Sequence, residues 1–424
     1  MGAAFAAWFV GIASTCSAGS LALYGPFLGG KRRIMILDQR VEKAGAAALA
    51  YGASTIMGVD VYELDIPFDD DSSGYGAPAG RWNRFDGVIV RITTADGISG
   101  WGECFAYSCR SAVAEAFRTM VAPLLMGQDA DDVPGLIRKV QQKLHLFGRY
   151  GIAMFAVSGA DIALWDRKAR SAGVPLGELL GGRKRSEVAA YASLVHYGQA
   201  EVVRDRARHA VESGYTSVKL HETLPEIIRA GREGAGTGTE LTVDANCAWN
   251  LDEARQQLPA LEAIGIDWLE EPIYPPEDFE SLAQLAAMTS IPLSAGENAC
   301  TRYEFHKMMQ ANAVQHPQPS VTKIGGVTEF MAVLHEAEQR GIACMPHSPY
   351  FGPGYWATLQ LLSAASGDPK LEHLYVEPEA FPGIATPIPR EGRVQIPDGP
   401  GTGFEPDWTV LNAYTPNPRP GTQD

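Results

Sequence analysis

Three short apolar runs decide the fold of this chain: LTVDAN at residues 241–246, DWLEEP at residues 267–272 and IPLSAGEN at residues 291–298. Each run carries an acidic residue at its end, namely Asp244, Glu270 and Glu297, spaced 26 and 27 residues apart. One strand–helix unit has this length, so successive strand ends would lie side by side. Three carboxylates at one mouth repel each other unless a hard divalent cation lies among them, which predicts a Mg²⁺ site.

The second half of the chain continues the same alternation of apolar runs and helical stretches. The candidate residues at the strand ends, which are 219, 244, 270, 297, 320, 347 and 372, are separated by 23 to 27 residues. The eight strand-like runs are VAAYASLV, SVKLH, LTVDA, IDWLE, IPLSAGE, AVQHPQPS, IACMPH and KLEHLYVE. Eight strands with helices between them predict an α/β fold of the (β/α)₈-barrel type.

The first half has a different pattern. GVDVYELDIPF alternates like a strand, and FDGVIVRITTADGISGWGE predicts a hairpin around Asp96 and Gly97. Helical segments follow, so an α+β domain is expected before the barrel. After Pro382 the chain is rich in proline and glycine without a period, and we expect this tail to return to the first domain.

Composition restricts the class of protein. The chain has 424 residues, of which 46% are hydrophobic and 20% charged, as in a soluble protein of two or three domains. Its net charge of −15 argues against a nucleic-acid partner but leaves room for a small anionic substrate. The six cysteines form no CxxC pair, which favours reduced thiols in a cytoplasmic enzyme.

Residues 2–30 contain no charged side chain and precede Lys31, Arg32 and Arg33. Length alone permits a membrane anchor, but the segment is rich in Gly, Ser and Ala and lacks the basic start of a secretory signal. We favour a disordered appendage, or a natural start at Met57, over an anchor.

Basic side chains accompany the carboxylates. Lys219 and His221 share one strand face at i, i+2 spacing, and His347 ends the seventh run across the barrel. A lysine is seldom buried without a partner, so a substrate carboxylate is the expected partner of Lys219. By the same spacing Asn246 is expected to share the face of Asp244 and to orient a ligand oxygen.

The strand ends SVKLH, TVDAN, WLEEP, AGEN, QPSVTKIGGVTE and MPHSPYFGPG resemble the enolase superfamily, and within it the mandelate racemase/muconate lactonizing enzyme group. SGADIALWDRKA is similar to the family segment that joins the capping domain to the barrel. The resemblance covers roughly residues 56–385. It implies an extension of unclear status at 1–55, a capping domain at 56–185, a barrel at 186–385 and a segment at 386–424 that returns to the capping domain. We also expect a homo-oligomer.

The resemblance also implies roles. Asp244, Glu270 and Glu297 would be the Mg²⁺ ligands, and the shared step is removal of the proton α to a carboxylate, for which a Lys or His base with Mg²⁺ is the known pairing. Lys219 would hold the substrate carboxylate, while His221 and His347 would act on opposite faces. Glu372 matches the final glutamate of the family and would hydrogen-bond the enediolate.

Two positions depart from the family pattern. Ser320 stands where racemase-like members have an Asp that supports the histidine of strand seven, so His347 is expected to be a weaker base and better suited to donate a proton. His221 stands where a second lysine is common. Lys323, three residues after Ser320, is interpreted as loop structure.

These residues favour dehydration of an acid sugar to a 2-keto-3-deoxy acid. Racemisation, epimerisation or cycloisomerisation of a carboxylic acid is the alternative within the family, and a non-catalytic sugar-acid binding protein is the alternative outside it. Substrate specificity is expected from the loops at 69–84 and 104–110. Their candidate contacts with substrate are Tyr75, Arg81 and Trp82, and the candidate contacts at the strand ends are Asn246, Ser320 and Glu372.

Overall fold

The computed structural model describes residues 52–69 and 82–416. Predictions made for residues 1–51, 70–81 and 417–424, including Tyr75 and Arg81, lie outside the described residues. In the described part of the chain, no helix combines the length and the apolar character that crossing a membrane requires.

The first domain is an antiparallel sheet covered by helices. Strands β1 (Ile56–Asp69), β2 (Arg84–Thr94) and β3 (Ser99–Cys104) lie in this order, and the β2–β3 hairpin turns at Gly97, which has φ of +82°. The helix Gly151–Ala172 crosses β3 so closely that a Cβ at Gly102 would lie 2.0 Å from one of its backbone oxygens. The helices of this domain are α1 (Arg110–Ala116), α2 (Ala122–Leu125), α3 (Val133–Lys143), α4 (Gly151–Ala172) and α5 (Leu176–Leu179).

The barrel sheet contains seven parallel strands among the described residues, in the order β10-β4-β5-β6-β7-β8-β9. Because the strands are parallel and joined by helices, their carboxyl ends meet at one mouth. The strands are β4 (Glu187–Ser193), β5 (Ser217–Leu220), β6 (Glu240–Asp244), β7 (Trp268–Glu270), β8 (Leu293–Ala295), β9 (His316–Pro317) and β10 (Lys370–Leu374).

Helices alternate with these strands, as the sequence predicts. Helix α8 shows the local reason: Asn250 and Glu253 form a capping box at its start, and Gly265 with φ of +74° ends it. The barrel helices are α6 (Ala200–Glu212), α7 (Pro225–Ala235), α8 (Leu251–Ile264), α9 (Phe279–Ala286), α10 (Arg302–Gln310), α11 (Val327–Gln339) and α12 (Pro353–Ala364).

The predicted seventh strand, IACMPH, is not a regular strand. Residues 342–350 form no ladder, although the Met345 N–H donates to Pro317 O on β9 at 3.1 Å. On the other side, Ser348 Oγ donates to Glu372 O on β10 at 2.9 Å. Pro346 and Pro349 lack the N–H groups that a ladder needs, so the segment occupies the eighth position of the barrel irregularly.

The tail adds to both domains. Strand β11 (Glu377–Pro378) pairs with β1, and β12 (Arg393–Gln395) pairs antiparallel with barrel strand β4. Further along, past helix α13 (Trp408–Ala413), Tyr414 O accepts from the Asp65 N–H at 3.0 Å. The segment predicted to return to the capping domain therefore also supplies a strand to the barrel sheet. The architecture is the predicted α/β barrel with an α+β capping domain.

Helix α4 holds a barrel loop as well as the capping sheet. Asp161 accepts hydrogen bonds from the Thr328 N–H at 3.0 Å and from its hydroxyl, and Ser158 Oγ accepts from the Gly325 N–H at 2.8 Å. These contacts fix the loop between β9 and α11. Asp161 therefore makes structural contacts.

Candidate active site

Asp244, Glu270 and Glu297 meet at the barrel mouth. One carboxylate oxygen from each lies within 4.8 Å of the other two. Three oxygens that bind one Mg²⁺ at about 2.1 Å lie at most about 4.2 Å apart, so a small contraction suffices. Asp244 Oδ2 and Glu270 Oε2 are buried and accept no hydrogen bond from the described residues. Such oxygens are costly to leave unpaired, and this donor set therefore fits a hard divalent cation.

The three acids differ in their surroundings. Burial raises the pKa of Glu270 well above its ordinary value, because the nearby Lys219 only partly offsets the lost hydration. Burial acts in the same direction on Glu297, but His347 and Lys323 outweigh it and hold the pKa of Glu297 well below its usual range. A bound cation would favour the ionised form of all three.

Lys219 is fully buried and already surrounded by carboxylates. Its Nζ lies 2.6 Å from Glu372 Oε1, 2.8 Å from Glu270 Oε1 and 3.5 Å from Asp244 Oδ2. Burial alone would lower the pKa of Lys219, but the charges of Glu270 and Glu372 raise it well above the ordinary value. The sequence predicted a substrate carboxylate as the partner of Lys219, whereas in the structure the protein's own carboxylates take this place.

Glu372 is engaged on both oxygens. Oε1 also accepts from Ser193 Oγ at 2.8 Å, and Oε2 accepts from the Ser348 N–H at 3.0 Å. Burial acts to raise the pKa of Glu372, yet the neighbouring Lys219 lowers it overall. The hydrogen bond from Glu372 to an enediolate stays a prediction.

His221 and His347 lie beside different members of the triad. His221 Nε2 is 3.2 Å from Asp244 Oδ2, and His347 Nε2 is 3.1 Å from Glu297 Oε2. The Nδ1 of His221 faces Leu194 O. Since a carbonyl only accepts, Nδ1 carries the hydrogen and Nε2 is the basic nitrogen at the mouth.

Among the described residues, no carboxylate supports the Nδ1 side of the His347 ring, although its Nε2 faces Glu297. Its Nδ1 is buried and has no hydrogen-bond partner among the described residues. Ser320 Oγ lies 3.3 Å from the hydroxyls of Thr322 and Tyr350 and forms no hydrogen bond with the His347 ring. Tyr350 donates instead to the backbone oxygen of His347 at 3.0 Å. Ser320 therefore reaches His347 only through Tyr350 and the main chain.

The face predicted for Asn246 is not formed. Strand β6 ends at Asp244, and Asn246 has φ of +45°, so the alternation of a strand no longer applies. Its N–H donates to Asp244 Oδ1 at 2.7 Å, and its side chain is exposed. Glu271 is not a member of the triad and accepts from the Gly296 N–H at 2.8 Å.

Trp82 belongs to an aromatic cluster of the capping domain. Its ring lies 5.1 Å from Phe68 and 4.8 Å from Tyr107, measured between centroids. The Tyr107 hydroxyl donates to Pro349 O in the barrel loop that begins just after His347. Trp82 is half-buried and is joined to the site through Tyr107.

Lys323 is the residue that sequence reasoning missed. It is 5% exposed, and its Nζ lies 3.9 Å from Glu297 Oε1 and 4.6 Å from the centroid of the Phe105 ring. The available signal was a single charge within the apolar run VTKIGG, directly after a strand end. Only the fold reveals that this loop turns back toward Glu297.

Together, the barrel and the carboxylate triad at its strand ends have the arrangement of a barrel enzyme with a candidate metal site. Residues 202–410 match the model of the enolase C-terminal domain-like family, and residues 81–181 match that of the mandelate racemase/muconate lactonizing enzyme N-terminal domain. The chain belongs to the mandelate racemase/muconate lactonizing enzyme group of the enolase superfamily.

Named relatives cover most of the chain. An arabinonate dehydratase of Saccharolobus solfataricus is 33% identical over 77% of this chain and 90% of its own length. A D-galactarolactone cycloisomerase of Agrobacterium fabrum is 31% identical over 83% and 96%. The crystal structure of a racemase from Streptomyces coelicolor A3(2) with bound magnesium is similar, with a TM-score of 0.77, 26% identity and coverage of 85% and 99%.

Proposed function

We propose that this protein catalyses the Mg²⁺-dependent dehydration of an acid sugar to a 2-keto-3-deoxy acid. The observation that carries the proposal is the pair of imidazoles on one carboxylate triad, with His221 beside Asp244 and His347 beside Glu297. Dehydration requires two proton transfers at one substrate, one from carbon 2 and one to the oxygen on carbon 3. Two imidazoles at one centre supply both.

His221 is proposed as the base. With Nδ1 held by Leu194 O, its Nε2 accepts the proton as the bond from carbon 2 to hydrogen breaks. A divalent cation on the triad, when bound, would neutralise the charge that gathers on the substrate carboxylate. Mg²⁺ suits the carboxylate donors, and it is bound in the similar racemase structure.

His347 is proposed as the acid. Its Nε2 faces the triad, 3.1 Å from Glu297 Oε2, and is the nitrogen that would deliver the proton. That proton goes to the oxygen on carbon 3, the carbon–oxygen bond breaks and water leaves. The resulting enol takes a proton from solvent at carbon 3 and becomes the 2-keto acid. The arabinonate dehydratase relative acts by name on an acid sugar, which supports this class of substrate.

Cycloisomerisation is the second candidate, because the cycloisomerase relative covers as much of the chain as the dehydratase does. The same two histidines would move a proton to and from carbon without loss of water. Trp82 and Asn246 remain proposed substrate contacts in either case.

The test is incubation in D₂O with Mg²⁺ and a set of aldonic and aldaric acids, followed by NMR of product and recovered substrate. Dehydration predicts a 2-keto acid with one deuterium at carbon 3, and no product after chelation of the metal. Deuterium at carbon 2 with loss of chirality and no keto acid would instead establish epimerisation. A separate incubation with aldarolactones tests cycloisomerisation.

Two variants separate the histidines. His347→Asn is expected to abolish product while hydrogen exchange at carbon 2 continues, and His221→Asn is expected to abolish both. His306→Asn is the control, because His306 also lies beside a carboxylate, Glu336 at 2.8 Å, but on helix α10. Loss of exchange in His347→Asn alone would reverse the proposed roles.

A further inference from the structure

Past the ends of β4 and β5, two imidazole side chains continue the pairing of these strands. A main-chain bond from the Leu194 N–H to Lys219 O, 3.0 Å long, carries the ladder just beyond β4. Next along, the Nδ1 of His221 donates to Leu194 O, and the Nδ1 of His196 donates to His221 O at 2.7 Å. Each ring thus satisfies a carbonyl of the neighbouring loop. The proposed base His221 is therefore held through its ring on one side and through its main chain on the other.

The ring of His196 is itself held in place by Glu222, a buried residue. Glu222 Oε2 lies 3.3 Å from His196 Nδ1, and Glu222 Oε1 accepts from the N–H groups of Tyr197 and Gly198 at 2.9 and 3.0 Å. Because a carbonyl oxygen only accepts, the His196 Nδ1 that faces His221 O carries the hydrogen. This one N–H is directed at both His221 O and Glu222, and the two acceptors fix the orientation of the ring.

Burial does not account for a histidine at position 196. The side chain of His196 is 39% exposed, so an apolar side chain of similar size would change little buried surface. What a donor at this position adds is the hydrogen bond to His221 O. A catalytic base must lie within hydrogen-bond reach of the proton that it removes, and a misplacement of about 1 Å can cost about a hundredfold in rate.

We infer that His196 is a positioning residue, which holds the main chain of His221 so that the His221 ring keeps its bond to Leu194 O and presents Nε2 to the mouth. The inference rests on the proposed function, because it concerns the base of that reaction. His196 acts only through His221 and transfers no proton. Glu222 contributes by orienting the His196 ring, so the loops after β4 and β5 act as one unit.

The first test observes the His221 ring directly and requires no turnover. Nitrogen-15 labelling of the nine histidines gives NMR signals whose shifts distinguish a ring with hydrogen on Nδ1 from a ring with hydrogen on Nε2. The His221 signal is assigned by its absence in His221→Asn, with Mg²⁺ present and at a pH where the ring is neutral. The wild type should show the Nδ1–H form, and His196→Leu a mixture of both forms. The His347 signals should stay unchanged.

The second test measures hydrogen exchange at carbon 2 in D₂O with the best acid sugar. His196→Leu is expected to lower the maximal exchange rate by about tenfold to hundredfold, because the base is misplaced, and to change KM by less than about threefold. His196→Asn keeps an N–H donor on its amide and should retain most of the rate. The comparison of the two variants separates the hydrogen bond to His221 O from the mere presence of a side chain.

The control is His209→Leu. His209 is also an exposed histidine bonded through Nδ1, in this case to the Tyr375 hydroxyl at 2.8 Å. It lies near the end of helix α6, which leads into the start of β5, so it belongs to the face of the barrel opposite to the strand ends. His209→Leu should therefore change neither the His221 signal nor the exchange rate.

Three results would overturn the inference. The first is an unchanged His221 signal in His196→Leu, whatever the rate, since a slower reaction would then place His196 against the substrate itself. The second is an unchanged exchange rate in His196→Leu, and the third is an equal loss of rate in His196→Leu and His196→Asn.

The two proposals fail in different ways. If the wild type exchanges no hydrogen with any acid sugar, the proposed function fails, and the NMR comparison alone decides whether His196 holds His221. If His196→Leu does not fold, His196→Ala takes its place, and failure of both variants to fold would make His196 a structural residue and overturn the inference.

Discussion

The Lys219 ammonium lies 2.6 Å from Glu372 Oε1, and this contact joins β5 to β10 across the intervening strand β4. On its other side Lys219 reaches Glu270 on β7 at 2.8 Å, across β6. One buried cation thus links strands on both sides of its own. Lys219 therefore stabilises the contacts between strands at the barrel mouth.

Lys219→Met is therefore expected to destabilise the fold. Removing one partner of a buried charge network leaves uncompensated carboxylates and costs about 3–5 kcal/mol. Mg²⁺ should restore part of this loss, because a cation at the proposed site would pair with Asp244 and Glu270. Urea unfolding with and without Mg²⁺ measures both effects. Lys168→Met is the control, because the Lys168 ammonium donates to Asp131 O in the capping domain, away from the triad. A variant as stable as the wild type without Mg²⁺ would contradict the network.

Neighbouring glutamates provide a second prediction. Glu270→Gln removes a proposed ligand and should weaken Mg²⁺ binding by at least about tenfold to hundredfold. Glu271→Gln should leave it nearly unchanged, because Glu271 faces the Gly296 N–H and an amide oxygen can accept that bond equally. Calorimetric titration of Mg²⁺ compares the two variants. Equal losses of Mg²⁺ affinity in the two variants would contradict the different roles given to Glu270 and Glu271.

Ser320 and Tyr350 provide a third prediction. Ser320→Ala should change the rate of product formation by less than about threefold, since its hydroxyl makes only long contacts of 3.3 Å. Tyr350→Phe should cost about tenfold, because it removes the bond to His347 O. Steady-state rates on the best acid sugar decide the comparison. A larger loss in Ser320→Ala would instead make Ser320 a direct substrate contact, as the sequence predicts.

Glu103 gives a prediction on pH. Burial raises the pKa of Glu103 from 4.5 to about 8, although the Gly354 N–H at the start of α12, 2.8 Å away, opposes the shift. The folded protein therefore keeps a proton that the unfolded chain has lost. The resulting stability is fully present below the unfolded pKa and is lost as the pH rises through about 8.

The Glu103→Gln variant has an amide in place of the carboxyl group and therefore cannot titrate at this position. The stability of the wild type relative to the variant should fall by about 1.4 kcal/mol per pH unit between about pH 5 and pH 8. Urea unfolding of both proteins across that interval measures the difference. Parallel pH curves would show that Glu103 is ionised in the folded state.

The local sequence pattern was enough to predict much of the fold and of the candidate site. The regular spacing of Asp244, Glu270 and Glu297 predicted that three carboxylates meet, because parallel strands in a barrel end at one mouth whatever their exact lengths. The i, i+2 rule placed Lys219 and His221 on one face for the same local reason. Asn246 lies two residues past the end of β6 and has φ of +45°, so it does not share the strand face of Asp244 that the alternation predicted.

What the tertiary structure decided was the partner of each charge. Lys219 could be expected to need an anion, but only the closed sheet brings Glu372 and Glu270 from distant strands to within 3 Å of it. Lys323 reads as a loop residue until the capping domain sets Phe105 beneath its ammonium. Period and side-chain direction are local properties of the chain, whereas which charges neutralise each other depends on contacts between segments more than fifty residues apart.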